Sequence, residues 1–127
     1  MSPVIPEARV EGDEAAVVTK AVIRAARLLD LSNKVLAKTL GLSEATVSRM
    51  KREGYSLQKD HKSFELAVLL IRLYRSLDAI VGGEDAIAQR WLRNENRALG
   101  ERPIILIESI TGLLNVIAYL DARRAIV

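Results

Sequence analysis

The chain has 127 residues, half of them hydrophobic, with a formal net charge of +3 and a pI near 9.4. That length suits one domain or two small ones sharing a core, and the apolar fraction is enough to build one. It contains no cysteine, which excludes disulfides and thiolate zinc sites and fits a reducing cytoplasm.

Residues 1–12 carry Pro3, Pro6 and Gly12 with little periodicity and are read as a mobile arm. They hold no apolar run of the kind a signal peptide needs. A first helix is predicted from about Asp13 to Leu31. Asp13 and Glu14 sit at its positive end, and Val18, Val22, Ala25 and Leu29 form its apolar stripe.

Two short helices follow, Asn33 to Leu40 and Glu44 to Arg52. Between them Gly41 supplies a corner where a residue able to take positive φ is favoured, Leu42 turns back into the core, and Ser43 stands at an N-cap position. Val47 and Met50 give the second helix its inner side. Glu44, Ala45, Thr46, Ser48, Arg49, Lys51 and Arg52 are left outward. Short, polar and basic side chains on an exposed helix suit the DNA major groove, so the segment reads as a helix-turn-helix.

A polar connector, Glu53 to Lys62, leads to a long helix from about Ser63 to Ile80, stopped by Gly82-Gly83. Leu66, Leu69, Leu70, Leu73, Leu77 and Ile80 form its stripe. The apolar run Phe64 to Val81 is interrupted by Glu65, Arg72, Arg75 and Asp78, which argues against a membrane span. A helix from about Glu84 to Arg93 and a loop with Gly100 come next. Pro103 opens a short helix through Ser109. Thr111 is placed as the cap of a last helix, Gly112 to about Arg124, with Leu113, Val116, Ile117 and Leu120 inward. The whole predicts an all-α fold, divided into a helix-turn-helix domain over 13–62 and a helical domain over 63–127.

Charge is distributed unevenly. From Lys20 to Arg52 eight cationic residues face two acids, whereas from Phe64 onward eight arginines balance eight acids. The positive field thus accompanies the helix-turn-helix, as phosphate contact requires. Catalysis finds no support: His61 is a lone histidine in a polar connector, and Glu84-Asp85 has a structural reason to stand at a helix start. No metal-ligand cluster and no cofactor motif is present. Trp91 has two readings, a core anchor bonded through its N–H or part of a partner surface with the polar loop behind it. Arg123-Arg124 likewise reads either as a cationic helix end or as the base of a plug formed with Ile126-Val127.

The series Trp91-Leu92, Asn96, Leu99-Gly100, Pro103, Leu106, Gly112, Val116 and Leu120, directly after such a helix-turn-helix, resembles the toxin-binding domain of Xre/MbcA/ParS antitoxins. The resemblance runs from about Lys20 to the end. It implies an N-terminal Xre-like helix-turn-helix bundle followed by a small helical toxin-binding domain. The partner it implies is a RES-domain toxin that depletes NAD, and the protein would act as a homodimer that represses its own operon by binding operator DNA. Carried over by position, DNA contact falls on Asn33, Lys34, Ser43, Glu44, Thr46, Ser48, Arg49, Lys51 and Arg52. Asn33 stands where glutamine is frequent in the wider family. Toxin contact is assigned to Trp91, Asn96, Arg97, Arg123, Arg124, Ile126 and Val127. Many members have a glycine shortly after the final leucine, whereas Ala122-Arg123-Arg124-Ala125 favours continued helix. The competing reading is a helix-turn-helix regulator whose second half dimerises or senses and meets no toxin.

Overall fold

A computed structural model describes residues 6–126, with side chains over 14–125. The described residues form seven helices: α1 (Pro6–Leu28), α2 (Asn33–Leu40), α3 (Glu44–Lys51), α4 (Lys62–Ile80), α5 (Asp85–Arg93), α6 (Pro103–Leu106) and α7 (Ile110–Ile126). No strand occurs among them, and one isolated antiparallel bridge joins Asn96 to Glu101. The all-α expectation holds.

The first helix differs from its expected bounds at both ends. It begins at Pro6, so residues 6–12 of the expected arm are helical, while residues 1–5 lie outside the described residues. Proline is well suited to a first helical turn, where its missing N–H leaves no bond unmade, and one interior glycine costs a helix only about 1 kcal/mol. The helix stops at Leu28 rather than Leu31 because Asp30 adopts a left-handed conformation, φ 57°. Its N–H then bonds the Arg27 carbonyl at 3.0 Å and the Leu31 N–H reaches back to Ala26 at 2.8 Å, closing the helix end.

α4 is the hub. It packs against α1, α2, α5 and α7. Its buried residues, Ser63, Leu66, Ala67, Leu70, Leu73, Ser76 and Leu77, recur at three- and four-residue steps but occupy a band wide enough to meet helices on two sides. Leu36, Leu40 and Val47 from the front of the chain join Leu92, Ile107, Leu113 and Leu120 from the back in one buried cluster around it. α5 also caps α1. Gln89 donates from Nε2 to the Leu28 carbonyl at 2.9 Å, and Arg93 donates to the carbonyls of Leu29 and Asp30 at 3.2 and 2.6 Å. These bonds satisfy carbonyls that a helix end leaves without partners.

Ser109, not Thr111, caps α7. The Ser109 hydroxyl accepts from the Gly112 N–H at 3.1 Å, while Thr111 lies inside the helix. Both residues are good caps by chemistry. The choice is made by α6, whose end brings Ser109 to the right place and whose Leu106 carbonyl lies directly beneath Gly112. A Cβ at Gly112 would stand 2.0 Å from that oxygen.

Candidate functional site

The corner between α2 and α3 follows from its residues. Gly41 sits at φ 70°, and the Leu42 N–H bonds the Ala37 carbonyl at 2.9 Å, turning the chain out of α2. Ser32 and Ser43 cap the two helices, each hydroxyl accepting an N–H three residues on at 3.1 Å. Val47 and Met50 are buried, which fixes the rotation of α3. Glu44, Ala45, Arg49, Lys51 and Arg52 are therefore exposed, and Thr46 and Ser48 are half-buried beside them.

The outward side chains form two hydrogen-bonded groups. Ser43, Thr46 and Arg49 make one: the two hydroxyls stand 2.9 Å apart, and the Arg49 guanidinium donates to Thr46 Oγ1 at 3.2 Å. Asn33, Ser48 and Lys51 make the other. Asn33 Nδ2 donates to Ser48 Oγ at 3.2 Å, and its Oδ1 accepts from Lys51 Nζ. Both ends of the Asn33 carboxamide thus tie α2 to α3, so its main effect is to set the angle at which α3 is presented. Lys34, in the first turn of α2, is exposed. Among the described residues, no carboxylate lies within ion-pairing distance of Lys34, Arg49, Lys51 or Arg52. The face therefore keeps its charge for an incoming polyanion.

The second group of residues sorts differently. Trp91 on α5 is half-buried and stacks on Tyr119 of α7, with ring centroids 6.2 Å apart and planes inclined by 20°. Arg123 covers the Tyr119 ring at 5.8 Å and lies 3.4 Å from its hydroxyl. Among the described residues no carbonyl accepts from the Trp91 N–H, so the ring is an amphipathic shelf at the edge of the core rather than a bonded anchor. Asn96 is a turn-former: its Oδ1 accepts from the Leu99 N–H at 3.0 Å and its carbonyl from the Gly100 N–H at 2.8 Å. Arg97 is exposed beside it. The structure brings Trp91 and Arg123 together through Tyr119, a residue the sequence reading passed over.

Arg124 faces the other way. Its guanidinium donates to Ser76 Oγ at 3.2 Å, and Ser76 donates to Asp121 Oδ1 at 2.8 Å. Arg72 pairs with the other carboxylate oxygen of Asp121. The Ser76 hydrogen bond is the main cause holding the Asp121 carboxyl below its ordinary pKa. Partial burial works against it, and Arg72 adds to it. Arg124 is thereby anchored to α4. Ile126 ends α7, its side chain outside the description, and Val127 lies outside the described residues. On a further face of α7, Ile110 and Leu114 are about half exposed, at 50% and 46%. Their i, i+4 spacing was legible in the sequence as a second apolar line beside the inward stripe.

Among the described residues no three His, Asp or Glu side chains converge to hold a metal, and no helix is long and apolar enough to cross a membrane. His61 is exposed at the start of α4, 3.9 Å from the Asp60 carboxylate.

No curated protein matches this sequence. Two family models do. Residues 8–72 match the Xre-like helix-turn-helix domain of antitoxins, and residues 76–125 match the C-terminal toxin-binding domain of Xre/MbcA/ParS antitoxins. The two segments meet within α4. A capped, cationic helix-turn-helix and a toxin-binding domain occur in the family's order and together span nearly all of the described chain. The protein accordingly belongs to the Xre-type antitoxins, with a DNA-binding helix-turn-helix ahead of a toxin-binding domain.

Proposed function

We propose that this antitoxin neutralises a RES-domain toxin that depletes NAD, and that it represses its own operon as a homodimer. The observation that carries the reading is the coexistence, on one core, of the unpaired cationic face of α3 and a separate aromatic–arginine shelf on α5 and α7. The first suits DNA. The second has the residue types that dominate protein interfaces.

On the DNA side, α3 lies in the major groove with Arg49 as the base-reading residue, since a guanidinium grips guanine O6 and N7 together. Thr46 steadies it in the free protein. Ser43, Glu44 and Ser48 flank it, and Lys34, Lys51 and Arg52 meet phosphate. One such helix spans too few base pairs to be selective, so two copies read half-sites about one helical turn apart. Exposed Val17 on α1 and Val68 on α4, at 65% and 43%, are the apolar residues a second copy would cover. Arg49→Ala lowers operator affinity by about 1–3 kcal/mol and relaxes preference at one position. Gel shifts showing unchanged affinity and selectivity would reject that assignment.

On the toxin side, Trp91, Tyr119 and Arg123 supply the stacked centre, Arg97 a charged rim, and Ile110 with Leu114 further apolar area. Asn96, Pro103 and Gly112 shape the domain without touching the toxin. No residue is assigned a catalytic role, because inhibition by occlusion needs only binding. The test is coexpression with the product of the adjacent gene, read by growth and by intracellular NAD. Protection from NAD loss by the wild type, weakened by Tyr119→Ala with Arg123→Ala, supports the reading. Steady NAD when the neighbour is expressed alone refutes the RES assignment.

A further inference from the structure

A groove of about 550 Å³ runs between α1 and the end of α3 with the connector after it. Lys20, Arg24 and Arg27 from α1 and Lys51 from α3 line it, with Tyr55 among its walls and Glu53 as its one acid. The three α1 cations are spaced four and three residues apart, so they share one helix face, and all are exposed. Of the other cations, Lys38, Lys62 and Arg72 pair with Glu108, Glu65 and Asp121. Among the described residues none of the three α1 cations has a carboxylate within ion-pairing distance. Unpaired like charges on one face repel, and a fold retains them at a cost in stability unless a ligand repays it.

The shape selects the ligand. Lys20 to Arg27 spans about 10 Å of helix. A single small anion needs donors that converge on a point. Here they are strung along an axis, in a groove that is open rather than enclosed, as suits a strand carrying a charge at each step. Lys51 belongs to the groove and also to the Asn33–Ser48 group on the outward side of α3. The groove is therefore continuous with the face assigned to the major groove.

We propose that this groove is a second phosphate-binding surface, on which Lys20, Arg24 and Arg27 take successive backbone phosphates of the duplex beside the bases that α3 reads. This rests on the reading that α3 lies in the major groove. It widens the footprint and supplies affinity without sequence preference. Glu53, held at φ 63° at the end of α3, opposes the phosphates and tempers that affinity.

The test uses the full-length protein with two duplexes of equal length, one from upstream of its own gene and one shuffled, titrated by fluorescence anisotropy over a range of salt. The Lys20→Gln/Arg24→Gln/Arg27→Gln variant should lower the slope of log affinity against log salt by about 2–3 on both duplexes, leaving the ratio of the two affinities unchanged. Glu53→Gln, which needs no basic residue removed, should raise both affinities several-fold. A triple variant with the wild-type slope, together with a Glu53→Gln variant of wild-type affinity, overturns the groove assignment. So does a melting-temperature rise with ATP that the triple variant loses while its duplex slope is unchanged, since the ligand is then a free nucleotide. Failure of the α3 reading looks different: the wild type then shows no preference for its own upstream duplex, while the triple variant still loses slope.

Discussion

Gly112→Ala is the substitution whose outcome the structure determines most directly. Alanine is the better helix former by about 1 kcal/mol, and position 112 lies within the first turns of α7, so propensity alone predicts a gain. Geometry predicts the reverse. The new Cβ would lie 2.0 Å from the Leu106 carbonyl oxygen, 2.8 Å from its carbon and 3.0 Å from Ser109 Oγ. A tolerable C···O approach is about 3.3 Å, so the α6–α7 corner must open by more than 1 Å. That oxygen accepts from the Ser109 N–H at 3.2 Å and faces its hydroxyl at 3.4 Å, while the hydroxyl in turn caps α7 through the Gly112 N–H. Moving the carbonyl therefore loosens the cap as well. Overpacking costs about 1–3 kcal/mol and a lost cap about 1 kcal/mol. Set against the propensity gain, the net loss is about 1–3 kcal/mol, or about 4 °C in Tm per kcal/mol for a chain of this size. Urea unfolding followed by Trp91 fluorescence reads it, because Trp91 stacks on Tyr119 of the same helix. Gly100→Ala is the control: nothing lies within 4 Å of its Cβ position, and its φ of 82° charges only backbone strain. A Gly112→Ala protein as stable as the wild type would show that the carbonyl yields cheaply and that the close approach does not explain the glycine.

Thr39 Oγ1 is buried without a hydrogen-bond partner among the described residues. Thr39→Val should therefore raise the urea midpoint by about 1 kcal/mol of stability, and a lowered midpoint would reveal a partner for the hydroxyl. Ser76→Ala should destabilise by about 1–2 kcal/mol at neutral pH, since it leaves Asp121 and Arg124 short of a partner. The same change should move the Asp121 pKa upward by NMR titration. Because the folded pKa of Asp121 lies below its unfolded value, its contribution is complete above about pH 4 and is lost as pH falls through the folded value. Denaturation at several acidic pH values should show the wild type losing more stability over that window than Ser76→Ala, and equal losses would remove the Ser76 bond as the cause.

The parts of this protein legible in its sequence are those governed by residues close together in the chain. Asn33 to Leu40 has both bounds as expected because Ser32 and Gly41 act locally. α7's inward stripe, Leu113, Val116, Ile117 and Leu120, is buried as periodicity requires. The sequence is less informative where distant parts decide. Ser109 outcompetes Thr111 as cap through the placement of α6. Asp30 ends α1 in a conformation usually left to glycine, and its carbonyl is held by Arg93 from α5. Asn33 has the chemistry of a phosphate ligand, yet Ser48 and Lys51 engage it. Tyr119 is one tyrosine on an amphipathic helix until Trp91 and Arg123 are seen to meet on it.

α4 runs through both family segments. The toxin-binding segment, 76–125, begins near the end of α4. α7 packs on α4, and Leu66, Ala67, Leu70 and Leu73 of the buried face of α4 lie upstream of that segment. Leu113, Val116, Ile117 and Leu120 are all at most 3% exposed in the whole protein, and burying each is worth about 1.5–3 kcal/mol. Exposing even part of that set is comparable to the whole stability of a typical small domain. A fragment of residues 76–127 should thus lack a cooperative unfolding transition and give a poorly dispersed NMR spectrum. Adding a fragment of residues 1–75, which restores Leu66, Leu70 and Leu73 of α4, should recover helicity. A well-dispersed spectrum from 76–127 alone would refute the argument. The helix-turn-helix and the Trp91–Tyr119–Arg123 shelf share a single packed core, with Gln89 and Arg93 of α5 clamped onto the end of α1 and Lys38 paired with Glu108. Under the proposed function, a toxin on that shelf would act on DNA affinity through where it places its own bulk and charge beside the duplex, because the two family segments meet inside one continuous helix, α4.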